Sequence, residues 1–187
     1  MGERILELDR QLLLALNGDG GIFLDNVMWI FSSKLIFIPV GLLAIFLFYK
    51  VMPVKRLLLT IVFIALIVLI ADQVSGLFKH YTPKFRPTHE PLLEGMVYTV
   101  RGYVGGLYGT VSAHAANSFG VALFSSLILR KRWFTWFIFI FSAVVAYSRI
   151  YLGVHYPLDI FFGTLLGLLT GFLCYRLYLK CCEKLNL

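Results

Sequence analysis

The sequence predicts an all-α fold: a polytopic membrane bundle of about five transmembrane helices, preceded by an N-terminal interfacial amphipathic helix. Three observations predict it. Of the 187 residues, 59% are hydrophobic and only 14% charged, more apolar surface than a soluble domain of this size can hide. Apolar runs recur at about the 20-residue length that spans a bilayer. Basic residues collect at the ends of those runs, so the formal charge of +7 is a topology signal. It forms no continuous basic face, and no nucleic-acid partner is expected.

Glu3 to Asn17 carries Ile5, Leu8, Leu12 and Leu16 at three- and four-residue spacing, with Glu3, Glu7, Asp9 and Arg10 elsewhere on the turn. This pattern predicts a helix lying on the membrane, broken at Asn17-Gly18-Asp19-Gly20-Gly21. Helix and turn occupy 1–21, and the helical bundle 24–179. Met1 to Gly20 lacks the basic and apolar regions of a secretory signal. The first span is expected from about Leu24 to Tyr49, with Lys34 either snorkelling or facing the bundle. The second runs from about Leu57 to Phe78 and turns polar at Asp72, Gln73 and Ser75. The third covers about Thr110 to Leu129, the fourth Trp133 to Tyr151 and the fifth Pro157 to Leu179. Pro157 suits a first helical turn. Gly163, Gly167 and Gly171 repeat every fourth residue and predict a close-packing helix face. Cys174, Cys181 and Cys182 show neither disulfide nor zinc spacing, so free thiols are expected. The whole chain, 1–187, reads as a single membrane domain.

Lys79 to Gly109 is a long connection and therefore a functional candidate. Basic residues mark the opposite membrane face: Lys50, Lys55, Arg56, Arg130, Lys131, Arg132, Arg176, Lys180 and Lys184, against the acid Glu183. The positive-inside rule makes that face cytoplasmic. The connection 79–109, the start of span three and the end of span four then share the non-cytoplasmic side.

Three short stretches meet on that side. The first is Lys79-His80-Tyr81-Thr82-Pro83-Lys84-Phe85-Arg86-Pro87, in which Lys79 and Arg86 supply cations. The second is Val111-Ser112-Ala113-His114, which opens a helix, where free N–H groups attract phosphate. The third runs from Ser148 and Arg149 to His155 and Asp159. His155 and Asp159 are four apart, so one helical turn places them on one side. A carboxylate there can bond one imidazole nitrogen and leave the other free to attack or to carry a proton. Arg149 offers a planar fork suited to phosphate oxygens. Ordered together on one membrane face, these groups point to phosphate chemistry.

The three stretches resemble the signature of the type 2 phosphatidic acid phosphatase (PAP2) superfamily, K-x6-R-P, then P-S-G-H, then S-R-x5-H-x3-D. The first and third match at every fixed position. In the second, Val111 stands for proline and Ala113 for glycine, while Ser112 and His114 keep their places. The resemblance implies a metal-independent phosphatase that works through a phosphohistidine and needs no cofactor. His155 would be the nucleophile, Asp159 its orienting partner and His114 the general acid and base. Lys79, Arg86, Arg149, Ser112 and the backbone N–H groups near Ala113 would hold the phosphate oxygens. Nothing in the sequence resembles a magnesium cage. His80 and His89 lie outside the pattern and are expected to be bystanders. Asp72, seven residues before Lys79, is placed to orient Lys79 or His80.

Such a site at the bilayer surface suits a lipid whose tails stay in the membrane. Three substrates fit: undecaprenyl pyrophosphate, a lipid A phosphate and phosphatidylglycerol phosphate. The stretch Tyr98 to Tyr108 either covers the head group or forms a loose interfacial loop. The expected location is a bacterial inner membrane with the site facing the periplasm. The alternative is a lipid-phosphate binding or transport protein without turnover, which would have no use for His155 with Asp159. Vanadate haloperoxidases share the motif set, but they are soluble, and the hydrophobicity here argues against that chemistry.

Overall fold

The computed structural model describes residues 2–187, and its described residues form a helical protein. Helix α1 spans Gly2–Leu16, α2 Gly21–Ser32, α3 Phe37–Tyr49 and α4 Val54–Tyr81. After the connection come α5, Ala113–Leu129, α6, Arg132–Tyr151, and α7, Pro157–Lys184. Three helices, α4, α6 and α7, are long and apolar enough to cross a membrane, or four if α2 and α3 form one bent span. The outward faces of α3, α4 and α7 expose Leu42, Leu58, Val62, Leu165, Leu169 and Phe172. A belt of that kind is stable only against lipid. The chain is an integral membrane protein.

The expected second, fourth and fifth spans are α4, α6 and α7. The expected first span is not one helix. It breaks at Ser33, and its two halves bend by 72°. Ser33 takes an extended conformation, and its hydroxyl accepts the Leu35 N–H, starting a 3₁₀ turn over Lys34–Ile36. Pro39 then falls in the first turn of α3, where its missing N–H costs least. The expected third span is the 17-residue α5, too short to be counted by length as a crossing helix.

Helix α5 is the centre of the bundle, packed against α7, α6 and α4. Its small residues make this possible: Ala115, Ala116, Gly120 and Ala122 are all buried. The glycine face of α7 meets it directly. Added Cβ atoms at Gly163, Gly167 and Gly171 would collide with the backbone carbonyls of Ser112, Ala116 and Gly120. The four-residue glycine repeat is thus a packing face within the bundle. Gly167→Leu is expected to force α5 and α7 apart at a cost of about 3 kcal/mol. A thermal melt in detergent would show it as a lowered Tm, with activity lost as His114 moves with α5.

Helix α1 turns its apolar stripe away from the bundle and packs on it with another face. Ile5, Leu8, Leu12 and Leu16 are exposed, while Leu13 and Asp9 are buried against the bundle. Asp9, expected only to lie away from the apolar stripe, has partners that the helical pattern could not reveal. The linker after α1 is also anchored. The Asn17 amide donates to the carbonyls of Tyr98, Ile150 and Tyr151 and accepts the Tyr98 N–H at 2.7 Å.

Candidate active site

The turn from α6 to α7 is closed by the arginine of the third motif. The Arg149 carbonyl accepts the N–H groups of both Val154 and His155, at 3.1 and 3.2 Å. Gly153 makes the reversal at φ +69, where a side chain would also strike Val97; only glycine takes that conformation freely. The five residues between Arg149 and His155 are therefore a turn that brings both side chains to one place. Pro157 starts α7, and Asp159 stands in its first turn. The Asp159 Oδ2 accepts the Tyr156 N–H at 3.0 Å and lies 3.2 Å from His155 Nδ1. One carboxylate caps the helix and fixes the imidazole.

The second motif docks on the third through backbone. The Ser112 N–H donates to the Asp159 carbonyl at 3.0 Å. Ser112 is the N-cap of α5, its hydroxyl accepting the Ala115 N–H at 3.4 Å, and it is fully buried. The hydroxyl accepts at the helix start, and Ser112 is not among the cavity-lining residues, whereas Val111, Ala113 and His114 are. Ala113 occupies the first helical position without strain, so glycine is not required there.

The first motif is folded back by an antiparallel bridge between Phe85 and Tyr108. The bridge carries Arg86 N–H to the Leu107 carbonyl and Gly109 N–H to the Lys84 carbonyl. Arg86 then donates from Nε to the Tyr108 carbonyl and from NH1 to the Val154 carbonyl, at 3.1 and 3.2 Å. A methyl group at Gly109 would stand 3.1 Å from the Arg86 side chain and 3.4 Å from the His155 ring. Arg86 and His155 thus border the same glycine.

A cavity of about 730 Å³ joins these groups. Its polar end is lined by Lys79, Arg86, His114, Arg149 and His155, and it continues down among Ala44, Ile64, Phe134, Ile138 and Phe141. Its charged lining is four cations, Lys34, Lys79, Arg86 and Arg149, against the single carboxylate of Asp72. Asp72 does not orient Lys79 or His80 as expected; its Oδ1 accepts the Asn117 amide at 2.7 Å. Arg149 is 5% exposed and donates from NH1 to the Ser32 hydroxyl. Its buried Nε has no hydrogen-bond partner among the described residues. An orphaned guanidinium N–H in a cation-rich cavity is a ready donor to an anion. Burial pushes the His155 imidazole below the ordinary histidine range, with Asp159 partly offsetting it. With Nδ1 turned to Asp159, Nε2 is the ring nitrogen left to face the cavity.

Of the two alternatives expected for Lys34, snorkelling or facing the bundle, the structure has the second: it lines the cavity just after the break at Ser33. One cation escaped sequence reasoning. Lys84 lies inside the first motif at a variable position, yet its Nζ stands 3.4 Å from Asp159 Oδ1 and 3.2 Å from Asp9 Oδ2. Tyr103 lines the cavity from the Tyr98–Tyr108 stretch, and Tyr98 is tied by its hydroxyl to Asp25. That stretch is held, not loose. His80 and His89 stay outside the cavity lining.

The family model of the PAP2 superfamily matches residues 56–182. The chain belongs to the PAP2 superfamily. Among relatives of this PAP2 chain, the lipid A 4'-phosphatase of Porphyromonas gingivalis is 42% identical over 95% of the chain and 75% of its own length. The lipid A 4'-phosphatase of Bacteroides thetaiotaomicron is 37% identical over the whole chain and 84% of its own length. Among solved structures, Aquifex aeolicus LpxE superposes with a TM-score of 0.65 at 26% identity, over 89% of this chain and 93% of that one.

Proposed function

We propose that this PAP2 protein removes a phosphate group from the head of a membrane lipid, without a metal, through a phosphohistidine. The observation that carries the reading is the buried His155–Asp159 pair, opening on a cavity lined by four cations. The neutral His155 Nε2 attacks phosphorus while Asp159 holds Nδ1–H and stabilises the charge that develops on the ring. As the bond from phosphorus to the lipid oxygen breaks, His114 gives that oxygen a proton. Water then attacks the phosphohistidine, passing a proton back to His114 and freeing inorganic phosphate. Lys79, Arg86 and Arg149, with the N–H groups at the start of α5 near Ala113, balance the three phosphoryl oxygens through both steps.

The substrate that the relatives favour is a lipid A phosphate; undecaprenyl pyrophosphate and phosphatidylglycerol phosphate are the competitors. The apolar depth of the cavity supports a lipid over a soluble phosphate ester. Chain 1–187 is a single catalytic domain with five crossings, α2 and α3 forming one broken span and α5 a short one sheltered by its neighbours. Helix α1 lies in the interface, its exposed Leu8 and Leu12 in lipid. Basic loops at Lys50–Arg56 and Arg130–Arg132 put the opposite end, with the site, on the periplasmic side of a bacterial inner membrane.

Phosphate release by the purified protein in detergent, with EDTA present, tests this on a panel of lipid A, undecaprenyl pyrophosphate, phosphatidylglycerol phosphate and phosphatidic acid. Release from lipid A that EDTA leaves unchanged is expected. Binding of these lipids with no release from any would favour a carrier.

A further inference from the structure

The N-terminal helix reaches the His155–Asp159 pair through Asp9, outside the three motifs, and Lys84, at a variable position of the first. Asp9 is 4% exposed. Its Oδ1 accepts the Leu158 N–H at 2.9 Å, one of the free donors at the start of α7, and its Oδ2 accepts from Lys84 Nζ at 3.2 Å. The same ammonium donates to Asp159 Oδ1 at 3.4 Å and stands 3.9 Å over the Tyr156 ring. The two Asp159 oxygens are thereby given separate tasks: Oδ1 takes Lys84, and Oδ2 takes His155 and the Tyr156 N–H.

We propose that Lys84 and Asp9 are positioning residues for catalysis: Lys84, held by Asp9 of α1, fixes the rotation of the Asp159 carboxylate so that Oδ2 stays on His155 Nδ1. This rests on the phosphohistidine reading and extends it to residues that touch neither phosphate nor the attacking nitrogen. A carboxylate held on one side only can turn about its terminal bond, and the imidazole it orients turns with it. Tyr156 supplies an aromatic face for the ammonium. Burial raises the pKa of Asp9, and the Leu158 N–H and the Lys84 ammonium act against that rise. Helix α1 is then part of the catalytic apparatus and not merely an anchor.

The titratable and charged groups around His155 and Asp159 are Asp9 from α1, Lys84 and Arg86 from the connection, His114 from α5 and Arg149 from α6. Removing the Lys84 charge favours the imidazolium and moves the acid limb of kcat/KM to higher pH. Removing the Asp9 charge moves it to lower pH. The experiment is steady-state phosphate release from lipid A in detergent by the wild type, Lys84→Met, Lys84→Arg, Asp9→Asn and His155→Ala, with kcat, KM and pH profile for each. Lys84→Met is expected to lower kcat about tenfold, the lower end for groups supporting a fixed ligand, with KM within about twofold. Lys84→Arg restores most of the loss. Asp9→Asn keeps the Leu158 hydrogen bond and the side-chain size, so it carries the test should Lys84→Met fail to fold. Unchanged kcat and acid limb in the folded variants, beside an inactive His155→Ala, would overturn this proposal and leave the phosphohistidine intact. A His155→Ala variant as active as wild type would overturn both.

Discussion

His155→Ala is expected to reduce kcat for phosphate release by at least about 10³-fold, the scale on which removal of a nucleophile abolishes covalent catalysis. Nothing else in the cavity can replace it. His114 is the other histidine of the cavity lining, and it lacks the Asp159 carboxylate that fixes the His155 tautomer. The loss is expected in kcat, because Lys79, Arg86 and Arg149 still present their charges to the head group. The protein remains folded, since Asp159 keeps its hydrogen bond to the Tyr156 N–H and the start of α7 stays capped. Kinetics on lipid A in detergent, with a melt of the same sample, separate these effects.

Arg149→Lys is expected to lower kcat/KM by about 10³-fold, although it preserves the charge. Arginines that face a transferring phosphoryl group carry about 10³- to 10⁵-fold in rate. Lysine has one point of charge where arginine has a planar fork. Here one nitrogen of the fork is occupied by the Ser32 hydroxyl and the buried Nε has no partner among the described residues. A lysine ammonium can donate to either acceptor from one point, but it does not reproduce the planar fork that presents separate nitrogens to Ser32 and to a phosphoryl oxygen. Vanadate, which mimics the transferring group, should lose inhibitory potency in parallel. A variant whose activity falls while vanadate inhibition is unchanged would show that Arg149 acts on fold alone.

Much of this was legible in the residues because motif spacing encodes local geometry. The separation of Arg149 from His155 is a turn closed on the Arg149 carbonyl. His155 and Asp159, by contrast, meet across the helix cap and not across one helical turn as the spacing suggested, His155 standing before the N-cap Tyr156 and Asp159 in the first turn of α7. The glycine repeat of α7 was legible for the same reason, since packing at a backbone carbonyl admits no side chain. What the sequence hid depended on contacts between distant segments. Asp9 read as one of the polar residues beside the apolar stripe of an amphipathic helix, and its partners, Lys84 and the Leu158 N–H, lie 75 and 149 residues further along the chain. Lys84 sat at a variable motif position, and only the Phe85–Tyr108 bridge shows where it points. Ser112 kept its place in the motif, but the fold uses its hydroxyl to cap α5. The break at Ser33 lay within an apolar run long enough for one span, and hydropathy alone gives no sign of a bend.

The central claim is that phosphate passes through His155. The most direct measurement is to mix the protein with lipid A in detergent and EDTA, quench in alkali within one turnover, and map the phosphorylated peptide by mass spectrometry. Phosphohistidine survives alkali and is lost in acid. Phosphate on His155, absent from His155→Ala and undiminished by EDTA, is the expected result. Steady phosphate release with no phosphorylation at His155, or release that continues in His155→Ala, would contradict it.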